Sequence, residues 1–536
     1  MFRLLLLFAR RDRIQVPVWI IGGALLAYTS ASAVGAEVGP AADRTALLRV
    51  AVGTPSILAL RGVPDGPSLG SYVFFQSFVY LAIVAALMSV FLVTRHTRAD
   101  EEQGRLELLG AAPVGRTAGL WATVLLGLIA NVLIGAAVGL AYAAGGLSAG
   151  GAWFAGLAVA AVGACFVGLT ALLAQLLPTS RAVNGMGSAL VGLAFVLRAA
   201  GDALGIPTAD GLSVVSAWPS WLSPIGWGQQ TFAFTATRPA PLLLAVGLVI
   251  VTVAAAVAVQ SSRDLGSSLV RERDGRVSGR AGFRSNRALV WRLHWPTVVG
   301  WAVGGVVMGL LAGGLAASIA SGLAADSSIS KVVAGLVPGG KGGIADLFVA
   351  AVMSLAGVLA AAAGVQAMLR GRSEEADGRA ELVLAAPVSR TVWLLDYVIV
   401  AVVSVVVVSA AAGLAAGLAF LGSGAGADRF WSSLGAGLAQ IPAALVYIAV
   451  TALLFAVLPR LTIWAAWALL ALGVVVGQMG GLLHVPQRVR DASPFVHTPA
   501  LPAGAVDWSG AWVLVIVAIV LVAGSTILIR RRELTT

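Results

Sequence analysis

The chain has 536 residues, of which 59% are hydrophobic and 11% are charged, with a mean hydropathy of +0.94. Soluble globular domains carry about 25% charged residues, so this composition excludes a soluble protein and predicts an integral membrane protein. The formal net charge of +11 comes almost entirely from arginines in short segments between apolar runs, which excludes a continuous basic face for nucleic acid. These basic segments are predicted to lie next to the anionic surface of a lipid membrane.

The first predicted element is a helix over residues 1–13 that lies on the inner membrane surface. Its apolar stretch, Leu4 to Phe8, is too short for a secretory signal, and no small-residue cleavage site follows. The arginines stand opposite the leucines, which is typical of a helix at the interface between lipid and water.

Twelve apolar runs follow, each close to the length of about twenty residues that a helix needs to cross a bilayer. The sequence therefore predicts an all-α integral membrane protein with two tandem sets of six transmembrane helices. The predicted spans are residues 16–37, 72–94, 118–143, 152–177, 183–201 and 239–260, and then 296–320, 346–369, 393–421, 432–457, 462–483 and 509–529. These sets define a first half (1–260), a cytoplasmic linker (261–292) and a second half (293–536).

The distribution of arginine and lysine predicts that both termini are cytoplasmic. With the N-terminus inside, the inner segments hold 25 of the 35 basic residues, and the opposite topology would reverse this bias. The heavy use of alanine, glycine, valine and arginine, with only two lysines, is typical of a high-GC bacterial genome. The predicted location is therefore the bacterial plasma membrane, which the chain crosses many times.

A segment of seventeen residues occurs twice, between the second and third spans of each half. Residues 101–117 read EEQGRLELLGAAPVGRT, and residues 375–391 read EADGRAELVLAAPVSRT, with eleven identities and no gap. We call these the repeat segments. A Ser-Pro dipeptide at position 223 occurs again at position 493, before the last span of each half. The two halves are therefore predicted to share one six-span plan in the same orientation.

Each repeat segment is predicted to form a helix on the cytoplasmic side. Asp100 and Ser373 are suitable N-caps, and in each segment the first glutamate and the arginine four residues later have the spacing of an ion pair within one helix. These pairs are Glu101/Arg105 and Glu375/Arg379. An ordinary solvated helix explains a single copy, whereas two copies favour the docking of two copies of one soluble partner.

The pattern Glu-x-x-Gly-Arg-x-Glu-Leu-Leu/Val-x-Ala-Ala-Pro-Val-x-Arg resembles the coupling-helix motif of ABC-2 type export permeases. The sequence Ser-Pro-Ile-Gly-Trp at 223–227 is also similar to a pattern of that family, and the resemblance covers both halves. It is strongest to the fused twelve-span permeases of actinobacteria that export antibiotics, polyketides or several drugs. In that family the motif docks into a groove on a separate ATP-binding subunit.

The resemblance implies that the chain is the permease subunit of an ATP-binding cassette exporter. It implies two copies of an ATP-binding cassette partner that bind ATP and magnesium, while the chain itself is not an enzyme and binds no cofactor. Carried over by position, the docking residues are Glu101, Gly104, Arg105, Glu107, Leu108, Pro113, Glu375, Gly378, Arg379, Glu381, Leu382 and Pro387.

The resemblance also implies that the second and fifth spans of each half line a central path for small-molecule cargo. The polar and aromatic residues that this implies for the path are Phe74, Phe75, Gln76, Tyr80, Asn184, Trp464, Trp467 and Gln478. Helix packing or an interfacial aromatic belt also explains these residues, so that interpretation stays open. A path with few polar groups is expected to carry hydrophobic or amphipathic molecules by alternating access. Arg198 and Asp396 lie near predicted span ends, where their side chains are expected to reach the interface.

Catalytic and metal-binding motifs are absent from the sequence. The glycine-rich stretch from Gly335 to Gly342 lacks the Ser or Thr of a phosphate loop, and the four histidines do not have metal-ligand spacing. The main alternative is a twelve-span secondary transporter driven by an ion gradient, which is disfavoured because no carboxylate suited to ion coupling lies in the middle of a span. A membrane enzyme or an assembly scaffold is a third interpretation, but the first lacks catalytic residues and the second leaves the repeat unexplained.

Overall fold

The computed structural model describes residues 2–37, 40–105, 115–263, 285–318, 343–424, 426–478, 485–503 and 507–532. Within these ranges the regular structure is helical apart from one hairpin of two strands, β1 (Ile206–Pro207) and β2 (Val214–Val215). The chain divides into two compact units, Met1–Gly275 and Arg276–Thr536. Their boundary falls inside the predicted linker (261–292), most of which lies outside the described residues.

The described part of the first unit contains eleven α-helices. In chain order they are α1 (Phe2–Arg11), α2 (Gln15–Glu37), α3 (Ala41–Val52), α4 (Pro55–Arg61), α5 (Leu69–His96), α6 (Arg98–Glu102), α7 (Ala118–Ala144), α8 (Ala149–Leu176), α9 (Ser180–Ala203), α10 (Pro224–Gln229) and α11 (Ala240–Ser262). A short 3-10 helix, Trp218–Leu222, precedes α10.

The described part of the second unit contains nine α-helices. They are α12 (Asn286–Ser318), α13 (Ile344–Ala376), α14 (Arg379–Leu384), α15 (Arg390–Gly422), α16 (Ala427–Leu438), α17 (Ile441–Val457), α18 (Thr462–Gln478), α19 (Gln487–Arg490) and α20 (Ser509–Arg531). A 3-10 helix, Pro494–His497, follows α19. The helices α12 and α11 both run a few residues into the predicted linker.

Eleven helical stretches in the described residues are long and apolar enough to cross a membrane. They fall on eleven of the twelve predicted spans, with α16 and α17 together forming one of them. The other predicted span, 462–483, contains α18, an apolar helix of 17 residues, and residues 479–484 lie outside the described part. The apolar helices fit an integral membrane protein.

The core of the first unit surrounds α5, which has 72% of its most apolar stretch buried. Apolar residues lie on all sides of this helix, and it packs against α8, α2 and α9. The helices α7 and α8 approach each other very closely at Gly135 and Gly156. A Cβ atom on either glycine would lie within 2.5 Å of the carbonyl oxygen of the other, so only glycine permits this contact.

The core of the second unit surrounds α13, which has 67% of its most apolar stretch buried and packs against α15 and α17. The helix α12 lies along α15. Between α16 and α17 the chain turns at Ala439 and Gln440, and Pro442 is the second residue of α17. This turn places the buried Gln440 side chain next to α13, where a Cβ on Gly357 would lie 2.7 Å from the Cβ of Gln440.

The N-terminal helix α1 packs on the first unit, and Phe8 is its one fully buried side chain. Phe8 is 1% exposed and stacks on the ring of His96 with a centroid distance of 4.5 Å. Leu4 and Leu5 are partly buried against the core of the same unit, whereas Leu6 and Leu7 are exposed. The helix itself was predicted correctly, and its position on the inner membrane surface stays a prediction.

Candidate functional site

The repeat segments follow α5 and α13, and each contains a glycine in the left-handed backbone conformation. In the first unit this is Gly104, with φ of +69°, and in the second it is Gly378, with φ of +72°. Residues with a side chain rarely adopt this conformation, whereas glycine adopts it at little cost and is the usual residue at the end of a helix. The same helix-ending turn is therefore built twice.

The structure describes all the predicted docking residues of the second segment but only some of those of the first. Glu107, Leu108 and Pro113 lie outside the described residues. In the second unit, Glu381 and Leu382 are exposed on α14, and Pro387 is exposed beyond its end. Leu382 is 79% exposed, so α14 presents a large apolar side chain that its own unit does not cover.

The ion pairs predicted within each repeat segment, between its first glutamate and its arginine, are wrong. The arginines pair with the residue before that glutamate: Arg105 with Asp100 (2.7 Å) and Arg379 with Glu374 (2.5 Å). The glycine turn interrupts the helix between the two predicted partners, so the i,i+4 geometry does not exist. The hydrogen bond to Glu374 holds the pKa of Arg379 above its usual value. The predicted N-caps are wrong as well, because Asp100 lies inside α6 and Ser373 inside α13.

The first glutamate of each repeat segment binds an arginine that directly follows the last long helix of the same unit. In the first unit the Nη2 atom of Arg263 lies 2.9 Å from the Oε2 atom of Glu101. In the second unit the Nη2 atom of Arg532 pairs with the Oε1 atom of Glu375. The glutamate side chains are 6% and 2% exposed. These two predicted docking residues therefore face the interior of their own unit.

A second contact joins the same two elements in each unit. The guanidinium of Arg116 donates to the backbone carbonyl of Arg263, and that of Arg390 donates to the carbonyl of Arg532. Arg116 and Arg390 occupy the same position in the repeat. Sequence reasoning missed both contacts, because the partners lie 147 and 142 residues away along the chain. The available signal was an arginine at the end of the last apolar run of each half.

In the first unit, α1 adds further contacts to the start of the repeat segment. Arg11 pairs with Asp100 at 2.7 Å, and the carboxylate of Asp12 pairs with the fully buried ring of His96. In the second unit the start of α12 instead contacts α15, beyond the end of the repeat segment. Arg287, at the start of α12, donates to Asp396 of α15 at 2.9 Å. The expectation that Asp396 reaches the interface is wrong, because its side chain is 3% exposed and ion-paired.

A groove of about 950 Å³ lies beside α14 in the second unit. Its walls come from the residues after α14, the start of α12 and the first turns of α15. Val383, Pro387 and Val388 give it an apolar side, and the ion pair of Arg287 and Asp396 gives it a charged one. Together with Leu382, the groove forms an accessible surface of mixed character at this end of the unit.

The predicted path residues of the first unit fall into two groups. Phe74 and Phe75 are buried, and the Phe74 ring stacks on Phe78 with a centroid distance of 4.6 Å, so both belong to the core of the unit. Gln76 and Asn184 are half-buried, and Tyr80 is 37% exposed. The structure therefore does not bring these five residues together on one open surface of the unit.

The predicted path residues of the second unit lie on α18. Trp464 and Trp467 are 78% and 38% exposed, so the first of them has almost no contact with its own unit. Gln478, at the end of α18, donates to the hydroxyl of Ser354 on α13 at 2.6 Å. That hydrogen bond joins the fifth predicted span of this half to the second.

A buried ion pair lies at the other end of the first unit, away from the repeat segment. Arg198 is 0% exposed, so the expectation that it reaches the interface is wrong. Its Nη1 atom lies 3.4 Å from the Oδ2 atom of Asp202. Asp202 also accepts hydrogen bonds from Ser216 (2.7 Å), Ser220 (3.1 Å) and Gln229 (2.9 Å). A buried charge needs this number of partners, because burial removes its hydration.

Both units have counterparts among known proteins. Residues 283–530 match the family model described as "Multidrug efflux system permease Rv1217c, C-terminal domain". The chain is also similar to the multidrug efflux system permease protein Rv1217c of Mycobacterium tuberculosis (strain ATCC 25618 / H37Rv). The two sequences are 32% identical over 538 residues, which cover 99% of this chain and 94% of the relative. The similarity therefore extends over both units and both repeat segments.

Proposed function

The chain belongs to the family of the multidrug efflux system permease Rv1217c, and from this premise we propose that it is the membrane-spanning subunit of an exporter driven by separate ATP-binding cassette subunits. It lies in the bacterial plasma membrane with twelve spans in two tandem halves and with both termini in the cytoplasm. Two copies of the ATP-binding subunit bind ATP and magnesium and hydrolyse ATP. The permease moves hydrophobic or amphipathic drug-like molecules outward.

The observation that carries this proposal is the duplicated attachment of the repeat segments. In each unit a buried glutamate, Glu101 or Glu375, is ion-paired to the arginine that follows the last long helix, Arg263 or Arg532. A duplicated sequence that also has duplicated contacts supports two related surfaces for two copies of one partner. The exposed face of α14 in the second unit supports a docking role, because Leu382 and the groove beside it are accessible.

The attachment gives the docking segments a means of moving the spans. Under the proposal, ATP binding draws the two partner subunits together, and each partner pushes on the segment that it holds. The ion pair and the carbonyl contact tie each segment to the last helix of its unit, so a displacement of the segment is passed to that helix. The spans then open outward and release cargo, which is alternating access driven from the cytoplasmic side.

The first experiment is affinity purification of the tagged chain from its own membrane, with quantitative mass spectrometry of the proteins that accompany it. We expect an ATP-binding cassette protein at close to two copies per chain. Everted vesicles that contain the complex are then expected to accumulate the hydrophobic dye Hoechst 33342 with ATP but not with a non-hydrolysable ATP analogue.

A charge-reversal variant tests the docking surface itself. Glu381→Lys places a positive charge on the exposed face of α14 and is expected to reduce the recovered ATP-binding subunit and the ATP-dependent dye uptake. Asp428→Lys makes the same charge change at an exposed position at the start of α16 and serves as the matched control. Recovery of the chain alone, with dye uptake that follows a proton gradient in vesicles without ATP, would overturn the proposal in favour of a secondary transporter.

A further inference from the structure

The second unit contains a cavity of about 170 Å³ that none of the contacts described above fills. Its walls come from α13, the turn between α16 and α17, the end of α18, the short helix α19 and the 3-10 helix that follows it. The polar side chains in these walls are Ser354, Gln440, Gln478, Gln487, Arg490 and Thr498. A cavity of roughly 150 Å³ accommodates a benzene ring, so this one has room for a small aromatic group.

The cavity lies at the end of the unit opposite to the repeat segment. Ser354 and Glu374 are both on α13, and at 1.5 Å per residue they lie about 30 Å apart along the helix axis. Under the proposed topology this is the outer part of the membrane. The cavity is therefore distinct from the ATPase docking surface.

The electrostatic character of the cavity is set by one arginine. Among the described residues that line the cavity, Arg490 is the one with a charge, and none carries a carboxylate. Its Nε atom is buried and has no hydrogen-bond partner, and in the described part of the chain it forms no ion pair with an acidic side chain. A guanidinium has five N–H donors and keeps its charge in proteins. Leaving it partly desolvated and unpaired is costly, and an anionic occupant would remove that cost.

The carboxamides add hydrogen-bonding groups around the same space. Gln440 accepts from the hydroxyl of Thr498 through its oxygen, at 3.2 Å, which leaves its NH₂ group to donate. Gln478 donates its NH₂ group to Ser354, which leaves its oxygen to accept. An occupant therefore meets both donors and acceptors in addition to the guanidinium.

The remaining wall is apolar and includes an aromatic ring. Phe495 is 5% exposed, and its ring stacks on that of Tyr447 with a centroid distance of 5.3 Å, which fixes its orientation. Ala350, Val496 and Ala500 complete this side. A molecule with an acidic group at one end and an apolar body at the other matches the two sides of the cavity.

In the first unit, a buried arginine is paired with an acidic side chain of the protein itself. The spacing of the repeat aligns Ser354 with Tyr80, which lies near the buried Arg198. There the arginine has its counter-ion, Asp202, on the same helix, together with three further donors to that carboxylate. In the second unit a different arginine, Arg490 on α19, lines the cavity, and the described walls bring no acidic side chain to it.

We propose that this cavity binds the acidic group, a carboxylate or a phosphate, of an amphipathic small molecule, with Arg490 as its counter-ion and Phe495 against its apolar body. The identification of that molecule as exported cargo rests on the proposed function. The binding itself needs neither ATP nor the partner subunit, so the two proposals can fail separately.

The test is photolabelling of the purified full chain in phosphatidylcholine nanodiscs with 4-azidobenzoic acid, with its methyl ester as the neutral control. Mass spectrometry of the labelled peptides is expected to place the acid on the cavity walls.

Arg490→Gln is expected to reduce this labelling on the order of tenfold, as the loss of one hydrogen-bonded charge pair predicts. Arg488→Gln removes the same charge from an exposed position on the same short helix and is expected to label as the parent does. Arg490→Lys, which keeps the charge, is expected to retain part of the labelling.

Replacing part of the phosphatidylcholine with phosphatidylglycerol separates the two sources of the acidic group. Loss of labelling in these nanodiscs assigns the site to a lipid phosphate, and unchanged labelling assigns it to a soluble amphipath. Equal labelling by the acid and the ester would overturn the proposal. So would full labelling of Arg490→Gln, or an equal loss in Arg488→Gln. ATP-dependent dye uptake, measured on the same variants with the partner subunit present, reports on the proposed function separately.

Discussion

Each unit has one end with the repeat segment and an opposite end. The two units are closely alike at the first end and differ at the second. At the end with the repeat segments, the helix-ending glycine, the buried glutamate and the arginine after the last helix occur in both units with the same contacts. At the opposite end the units have diverged. The first buries the ion pair of Arg198 and Asp202, and the second has an open cavity with Arg490 in its wall.

This difference indicates that the two ends of the duplicated unit are subject to different constraints. Under the proposed function, a surface that meets the same partner twice must keep the same shape twice, and the described parts of the repeat segments share the glycine turn and the buried glutamate. The opposite ends, under the proposed function, face the cargo and the outside of the cell, where the two halves need not be alike. Four sets of substitutions test this contrast, in decreasing order of the change expected in stability.

The largest effect is expected at the buried ion pair of the first unit. Asp202→Ala leaves Arg198 as an uncompensated buried charge and removes the acceptor of Ser216, Ser220 and Gln229. Breaking such a pair from one side typically costs about 3–5 kcal/mol. Denaturant unfolding of the purified chain in detergent measures the loss. The double variant Arg198→Leu/Asp202→Leu should recover much of it, and a double variant no more stable than the single one would contradict this explanation.

The second-largest loss of unfolding free energy is expected when the buried glutamates of the repeat segments are neutralised, and it should be equal in the two units. Glu101→Gln and Glu375→Gln each remove the charge from a hydrogen-bonded ion pair with little exposure. A hydrogen bond to a charged group contributes about 1.5–3 kcal/mol, so each variant should lose about 2 kcal/mol of unfolding free energy. The same unfolding measurement also tests Glu102→Gln, whose exposed side chain bonds Ser180, as the control for a neighbouring charge. Unequal losses in the two units would contradict the proposed equivalence of the two attachments.

The third set of variants tests the left-handed backbone conformation of the two glycines. Gly104→Ala and Gly378→Ala put a Cβ atom where no other atom of the described residues lies within 4 Å. The cost is therefore that of the left-handed conformation alone, about 1–2 kcal/mol for each variant. Asn tolerates this conformation better than Ala, so Gly104→Asn and Gly378→Asn should lose less. Unfolding midpoints of the four variants measure the order, and Asn variants less stable than the Ala variants would contradict the assignment.

The smallest effect is expected at the cavity of the second unit. Arg490→Gln removes a partly desolvated charge that no described acidic side chain pairs with, so in nanodiscs without an acidic ligand the unfolding free energy should rise slightly rather than fall. Arg198→Gln, at the buried pair of the first unit, is the matched comparison and should be strongly destabilising. The contrast fails if Arg490→Gln costs as much as Arg198→Gln.

Much of the fold could be predicted from the sequence, because it depends on local properties. Long apolar runs predict the helices, and eleven of the predicted spans contain helices of sufficient length and hydropathy. The duplication pointed to the segments that contain Gly104 and Gly378, although it did not predict their backbone conformation. The predicted span 462–483 is tested only as far as Gln478, where α18 ends, because residues 479–484 lie outside the described part.

The site was predictable only in part, because its contacts are long-range. The spacing of Glu101 and Arg105 suggested a local ion pair, yet the glycine between them redirects the chain and Glu101 binds Arg263, 162 residues away. No local pattern encodes such a partner. The same limit applies to the predicted path, where Phe74 belongs to the core and Trp464 is exposed, a difference set by helix packing.

The buried pair of Arg198 and Asp202 also bears on the order in which the protein is made. Helix α9 contains the least apolar of the eleven candidate spans, with a hydropathy of 1.4, and it includes a fully buried arginine. An arginine in a span opposes insertion into lipid by up to about 3 kcal/mol. Three of the groups that stabilise its counter-ion, Ser216, Ser220 and Gln229, are synthesised only after α9 itself. We therefore expect α9 to insert securely only after the residues up to 229 have been synthesised, so that α9 depends on its downstream neighbours during biogenesis.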